Sequence, residues 1–207
     1  MADSKLSRTA GTPTSNKKFT ISYWVKQSGV DGSGSTGEGH IFDTYTDGNN
    51  RTQIHFDSDD VIDFRLKVSG TNIGRLKTTR KFRDPSAWYH IVAAVDTTQS
   101  TAADRIKLYI NGEQNLSANN GFASETYPSQ NADFSMAGTH TIGAYGGGTN
   151  YYNGLLAHFH FTDGYTYSAS TFGETDSTSG IWKPKTAPSV TYGTNGFFLK
   201  FENSGAM

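Results

Sequence analysis

The sequence predicts an all-β fold, a two-sheet antiparallel sandwich in one domain over residues 1–207 with its core over residues 19–201. Three observations carry this reading. Short runs alternate apolar and polar residues with the period of a half-buried strand. Turn-forming residues separate the runs, and Gly alone accounts for 23 of the 207 residues. The apolar fraction is only 34%, which suits strands that bury one face each.

The elements follow in order. Phe19, Ile21, Tyr23 and Val25 alternate with Thr20, Ser22 and Trp24, giving the first strand. Residues 29–40 are too rich in Gly and Ser to form an element. Strands are expected over residues 41–45, 52–56 and 61–68, split by the turn compositions Thr46–Asn50 and Asp57–Asp60, and a further one over 75–79. Residues 88–96 are apolar on both faces and belong at the centre of a sheet. Ile106–Ile110, Asn111-Gly112 and Glu113–Leu116 form the clearest hairpin, because Asn-Gly supplies the positive φ angles of a type I′ turn. Strands over 139–144, 155–162 and 197–201 complete a set of ten to twelve. Two long stretches, 117–138 and 164–195, read as irregular; loops of that length in a compact domain pack over a core or carry function.

Composition excludes several function classes. The net charge of -1 leaves no basic surplus to neutralise phosphates, so no nucleic-acid partner is expected. No apolar run reaches the roughly 18 residues of a spanning helix, so no membrane insertion is expected. Cys is absent. Met1-Ala2-Asp3-Ser4-Lys5 lacks the apolar core of a signal peptide, and synthesis in a cytosol is expected.

Four segments in order resemble a known family. They are Phe19-Thr20-Ile21-Ser22-Tyr23-Trp24-Val25, Trp88-Tyr89-His90-Ile91-Val92 with Asp96, Ile106–Gly112, and Ile142-Gly143-Ala144 with Asn153–Ala157. Together they are similar to the strand motifs of laminin-G-like and pentraxin-like domains. The resemblance implies a concanavalin-A-like (laminin-G-like) jelly roll. More narrowly, Phe82–His90, Ala93–Gln99, Phe172–Ser177 with Ile181–Lys185, and Tyr192–Phe197 resemble segments of bacteriophage virion surface proteins of the tail-fibre or decoration type. This resemblance implies a module at a virion surface, assembled in the host bacterial cytoplasm, with other virion proteins and a host-surface polysaccharide as partners and a homo-oligomer as its form.

The wider fold also hosts glycoside hydrolases. Retaining enzymes need two carboxyl groups about 5–5.5 Å apart. The nearest match to a Glu-x-Asp-x-x-Glu strand is Glu174-Thr175-Asp176-Ser177-Thr178-Ser179, which lacks the third acid and lies in a loop-like stretch. No nucleophile or phosphate-loop motif is present, so no enzyme is expected and no catalytic residue is assigned. His158 and His160 are spaced to share a strand face, and with His90 or His140 they would make a zinc site. Packing against a neighbouring strand is the simpler role for both.

No cofactor is required. The resemblance implies one Ca²⁺ at a loop rim, and hard oxygen ligands on irregular loops are what that ion takes. The candidates are Asp43 and Asp47 with Asn49, or Asp57, Asp59 and Asp60; ordinary turn capping explains the same residues. Glycan binding is the functional expectation. Sugars need flat aromatic faces and planar polar groups, and Tyr145, Asn150, Tyr151 and Tyr152 supply both in one Gly-rich loop. Asn49, in the segment Thr46–Arg51, would add polar contacts if the loops meet. The alternative function is a structural decoration or fibre protein with no ligand, docking through surfaces near Trp24, Trp182, Phe197 and Phe198.

Overall fold

Phe19, Ile21, Tyr23 and Val25 are all fully buried, as their alternation requires, and they project from one strand into the space between two sheets. The structure, a computed structural model, describes residues 4–29 and 37–201. Among them the strands are β1 (Leu6–Ala10), β2 (Lys18–Gln27), β3 (Gly39–Asp47), β4 (Asn50–Phe56), β5 (Val61–Val68), β6 (Thr71–Lys81) and β7 (Tyr89–Asp96). After a helical turn α1 (Ala102–Arg105) come β8 (Ile106–Ile110), β9 (Glu113–Gln114), β10 (Phe122–Thr126), β11 (Gly138–Ile142) and β12 (Gly154–Asp163). The chain ends with α2 (Ala169–Phe172), β13 (Gly173–Thr175), β14 (Trp182–Pro184) and β15 (Phe197–Leu199).

One sheet has seven strands in the order β1-β11-β3-β4-β5-β6-β10, and the other has six in the order β15-β12-β2-β7-β8-β9. Neighbours within both sheets are antiparallel. The all-β sandwich is therefore as the alternation indicated. Between the sheets Phe42 meets Phe159 and Phe161 at ring-centroid distances of 5.8 and 5.4 Å, and Phe19 meets Phe64 edge-on at 6.3 Å. Such tilted and edge-on pairs are the arrangements aromatic quadrupoles favour. Asn111 and Gly112 take φ values of 50° and 89°, as a type I′ turn demands.

Both stretches read as irregular turn out to carry structure. Residues 117–138 contribute β10 to the edge of the seven-stranded sheet and bury Phe134 and Met136, with Phe134 edge-on to Phe19 at 5.1 Å. Residues 164–195 cross the outer face of the six-stranded sheet. There Ala169, Phe172, Tyr167, Trp182 and Val190 pack around Val92, and β13 and β14 form a separate two-stranded ribbon. Glu174 therefore lies on a strand, contrary to the loop expected. It is exposed there, and Lys183 Nζ lies 3.9 Å from Glu174 and 2.7 Å from Asp176, so the two carboxylates share one ammonium. The strand expected from Trp88 starts at Tyr89, leaving Trp88 exposed at its end.

Candidate functional site

The outward face of the seven-stranded sheet is polar, and its middle is nevertheless buried. Register places Thr141, Asp43, Gln53, Arg65 and Arg75 side by side across β11, β3, β4, β5 and β6. One step along the strands, His40, His55, Asp63 and Lys77 form a second row. Period-2 alternation sends these residues outward while Phe42, Ile54, Phe64 and Leu76 point to the core. A bulge between His40 and Phe42 keeps His40 with the polar row.

One end of this face is satisfied by charge. Asp63 accepts from Arg65 Nη2 at 2.6 Å and from Arg75 Nε at 3.1 Å. Burial pushes its carboxyl up, but the hydrogen bonds from Arg75 and Arg65 outweigh that and hold it below the usual range. The other end is not satisfied. His40 Nδ1, both ring nitrogens of His55, Asp43 Oδ1, Gln53 Oε1, Arg51 Nε and Thr141 Oγ1 are buried without a hydrogen-bond partner among the described residues. Buried polar atoms normally have partners, so this concentration of exceptions marks groups that need a partner from outside the chain, water or an ion among them. Burial pushes the Asp43 carboxyl up to about 6 and the imidazoles down, His40 to about 2 and His55 to about 4.

The Gly-rich loop lies over this end. Tyr145 takes the Arg51 guanidinium both at its hydroxyl and above its ring, 4.9 Å from the centroid, and it stands edge-on to His40 at 5.2 Å. Gly146 donates its N–H toward Asp43 Oδ2 at 3.4 Å. A Cβ on Gly146 would sit 2.4 Å from Tyr45 Cβ, so only glycine lets the loop come this close. Asn150 donates its amide to Glu38 Oε2 at 3.0 Å, and its carbonyl accepts from His40 N at 3.1 Å. Glu38, Arg51, Tyr145 and Asn150, with Tyr151 bridging to His40, thus form one partly exposed rim above the buried polar row.

The other expected site residues fall elsewhere. Tyr152 faces the core side: its ring stacks on Phe56 at 6.0 Å and its hydroxyl donates to Lys26 O at 2.9 Å. Asn49 lies in the β3–β4 turn, where its N–H donates to Asp47 Oδ1 at 2.7 Å. Asp47 caps that exposed turn while Asp43 is buried beneath the loop. Asp57 pairs with Lys77 at 2.6 Å, Asp60 with Arg83 at 2.8 Å, and Asp59 is exposed. Among the described residues Asp57, Asp59 and Asp60 do not converge as ligands, and Asp57 and Asp60 are engaged in ion pairs of their own.

The histidine set of β12 does not converge either. His158, at φ 47° in a bulge between Ala157 and His160, and His160 both lie against Phe198 of the neighbouring strand, at 6.0 and 4.0 Å. His160 bonds Tyr192 Oη at 2.9 Å, while His140 Nε2 is bonded to Met136 O at 2.9 Å. The one group of three whose ligand atoms lie within 4.8 Å of one another, among the described residues, is Glu38, His40 and His55. Sequence reading missed it, since His40 and His55 are 15 residues apart and only the β3–β4 register joins them. A second cleft, about 260 Å³ and lined by Tyr109, Tyr167, Asp96 and Lys107, has its carboxylates engaged with Thr98, Gln99, Lys18 and Lys107.

This architecture defines a lectin-like sandwich. Residues 2–170 match the family model described as the concanavalin A-like lectin/glucanases superfamily, and the chain belongs to that family. No curated protein sequence matches it. Among solved structures it is similar to a heptameric SAP-like pentraxin from Limulus polyphemus, at 17% identity and TM-score 0.56, covering 95% of this chain and 88% of that one. It is also similar to a putative carbohydrate binding protein from Bacteroides ovatus, at 13% identity and TM-score 0.47 over 90% and 58% of the two chains. The carbohydrate binding module CBM66 from Bacillus subtilis aligns at 12% identity and TM-score 0.41 over 75% and 79%.

Proposed function

We propose that the protein is a non-enzymatic glycan-binding module whose site is the rim formed by Glu38, Arg51, Tyr145, Asn150 and Tyr151. The observation that supports this is the convergence of an aromatic loop with a guanidinium, a carboxylate and a carboxamide over a buried polar row. Planar groups of that kind pair with neighbouring hydroxyls, and tyrosine faces take the C–H side of a sugar ring. Membership of a lectin-containing family agrees with it. The incomplete Glu-x-Asp-x-x-Glu motif at Glu174 and Asp176, with Ser179 in place of the third acid, argues against hydrolysis. The setting we propose is a bacteriophage virion surface, on the strength of the sequence segments that resemble such proteins. The test is a glycan-array screen of the purified protein, run with and without Ca²⁺ and including bacterial surface polysaccharides. Selective binding that weakens in Tyr145→Ala supports the reading, and Ca²⁺ dependence would bring Asp43 and Asp47 into it. An array with no selective binding removes it.

A purely architectural role is the second reading. It is favoured by an apolar groove of about 280 Å³ between the sheet edges β1 and β15, lined by Leu6, Ile142, Phe197 and Leu199. Apolar surface of this kind is a docking feature. Capsid attachment or stable self-association without glycan binding is the outcome that would select it.

A further inference from the structure

We propose that Glu38, His40 and His55 form a binding site for a divalent transition-metal ion of the zinc class. The proposal stands on geometry and does not rest on the glycan reading, although the rim and the metal site share Glu38. His40 and His55 are directly opposite on β3 and β4, and their rings stack at 4.6 Å within 6° of parallel. Glu38 reaches the same place from the residue before β3, with Oε2 3.6 Å from His40 Nε2. One ligand atom from each of the three lies within 4.8 Å of the other two. A tetrahedral zinc ion with bonds of about 2.0–2.2 Å needs its donors roughly 3.3 Å apart. The lone pairs lie in the ring planes, so the two imidazoles turn out of their stack to aim at one ion.

Three further features suit a metal. His55 is 1% exposed, and neither of its ring nitrogens has a hydrogen-bond partner among the described residues. An imidazole so placed is costly unless something takes a lone pair. Asp43 Oδ2 lies 3.8 Å from His40 Nδ1, where a slight approach would let the carboxylate accept Nδ1–H and leave Nε2 free for the ion. That carboxylate–imidazole–metal arrangement is how such ligands are usually oriented. Glu38 is about one-third exposed, which leaves a way in from solvent and a position open beside the three protein donors.

Donor type selects the ion. Two nitrogens and one carboxylate suit Zn²⁺, Co²⁺ or Ni²⁺, whereas Ca²⁺ takes six to eight oxygens. Asn150 donates to Glu38, and His40 N donates to Asn150 O, so a bound ion would tie the Gly-rich loop to the sheet.

The test uses the full chain after dialysis against a chelator. Zn²⁺ and Co²⁺ are titrated in by calorimetry, Co²⁺ is also followed through its visible d–d bands, and Ca²⁺ is tried as a competitor. The expected result is one equivalent of Zn²⁺, a tetrahedral-type Co²⁺ spectrum, a raised thermal midpoint, and no competition from Ca²⁺. His55→Leu should weaken Zn²⁺ binding by about 100-fold or more and Glu38→Gln by about 10-fold or more, while His158→Gln binds as the wild type does. Circular dichroism checks the fold of each; if His55→Leu does not fold, the partly exposed Glu38→Gln decides. Absence of binding, binding unchanged in the folded variants, or equal competition by Ca²⁺ would each overturn the proposal.

Discussion

The indole N–H of Trp182 donates to Nδ1 of His90 at 3.0 Å, and that single bond fixes the imidazole tautomer. Nδ1 accepts, so Nε2 carries the proton and donates to Ser22 Oγ at 2.9 Å. The indole also stacks on the imidazole at 6.0 Å, with Trp24 stacked on the same ring at 5.1 Å. Gly112 and Gly173 are in contact with the indole, where a Cβ on either would come within 2.9 Å of it. Trp182 thereby fastens the C-terminal segment to the outer face of the six-stranded sheet. Trp182→Phe keeps a ring but removes the donor, leaving a buried acceptor. It should cost about 1–3 kcal/mol in urea unfolding, and a variant as stable as the wild type would show that the bond contributes nothing.

Acid should destabilise the chelator-treated protein as its buried histidines take up protons. Burial pushes His90 down to about 3 and His160 to about 4, against 6.5 for the free side chain. The unfolded chain therefore binds more protons than the folded one between pH 6.5 and about 4. The histidine contribution is complete above pH 6.5 and is lost as pH falls through that window. Asp43, raised by burial to about 6, acts in the opposite sense and only partly offsets the histidines. The thermal midpoint should fall from pH 7 to pH 4.5, and His160→Gln, which cannot charge, should flatten the fall. A midpoint independent of pH over that range contradicts the burial of neutral imidazoles.

Much of the fold was legible because alternation is strong wherever one face is buried. Residues 19–25 and 61–68 show it, and both strands formed where expected. β1 escaped because Leu6–Ala10 is largely exposed at a sheet edge and has no apolar period. β13 and β14 escaped because a three-residue ribbon carries too few residues for a pattern. The loop of Tyr145 was legible from its composition, but its partners were not. Arg51 and Glu38 reach it only through the β3–β4 register and the fold of the loop, which no local pattern encodes. Tyr152 looked equivalent to Tyr151, yet its ring packs on Phe56, while the Tyr151 hydroxyl lies beside Gly148 in the loop.

In metal-free protein, His55→Leu should be no less stable than the wild type. The side chains are similar in volume, and the change removes two buried nitrogens that have no partner among the described residues. Relief of that unmet hydrogen bonding should give about 1 kcal/mol of stabilisation in chemical unfolding with chelator present. A loss of more than about 1 kcal/mol would mean the ring makes contacts that leucine cannot replace.

The central claim is that the loop over the polar sheet face is where a glycan binds. The most direct measurement is amide chemical-shift mapping of the labelled protein with a glycan selected on the array. The account predicts shifts centred on Gly146, Gly147, Gly148, Asn150 and Tyr151, with Arg51 following and the Tyr109–Tyr167 cleft unmoved. Shifts confined to that cleft or to the β1–β15 groove, with the loop silent, would contradict it.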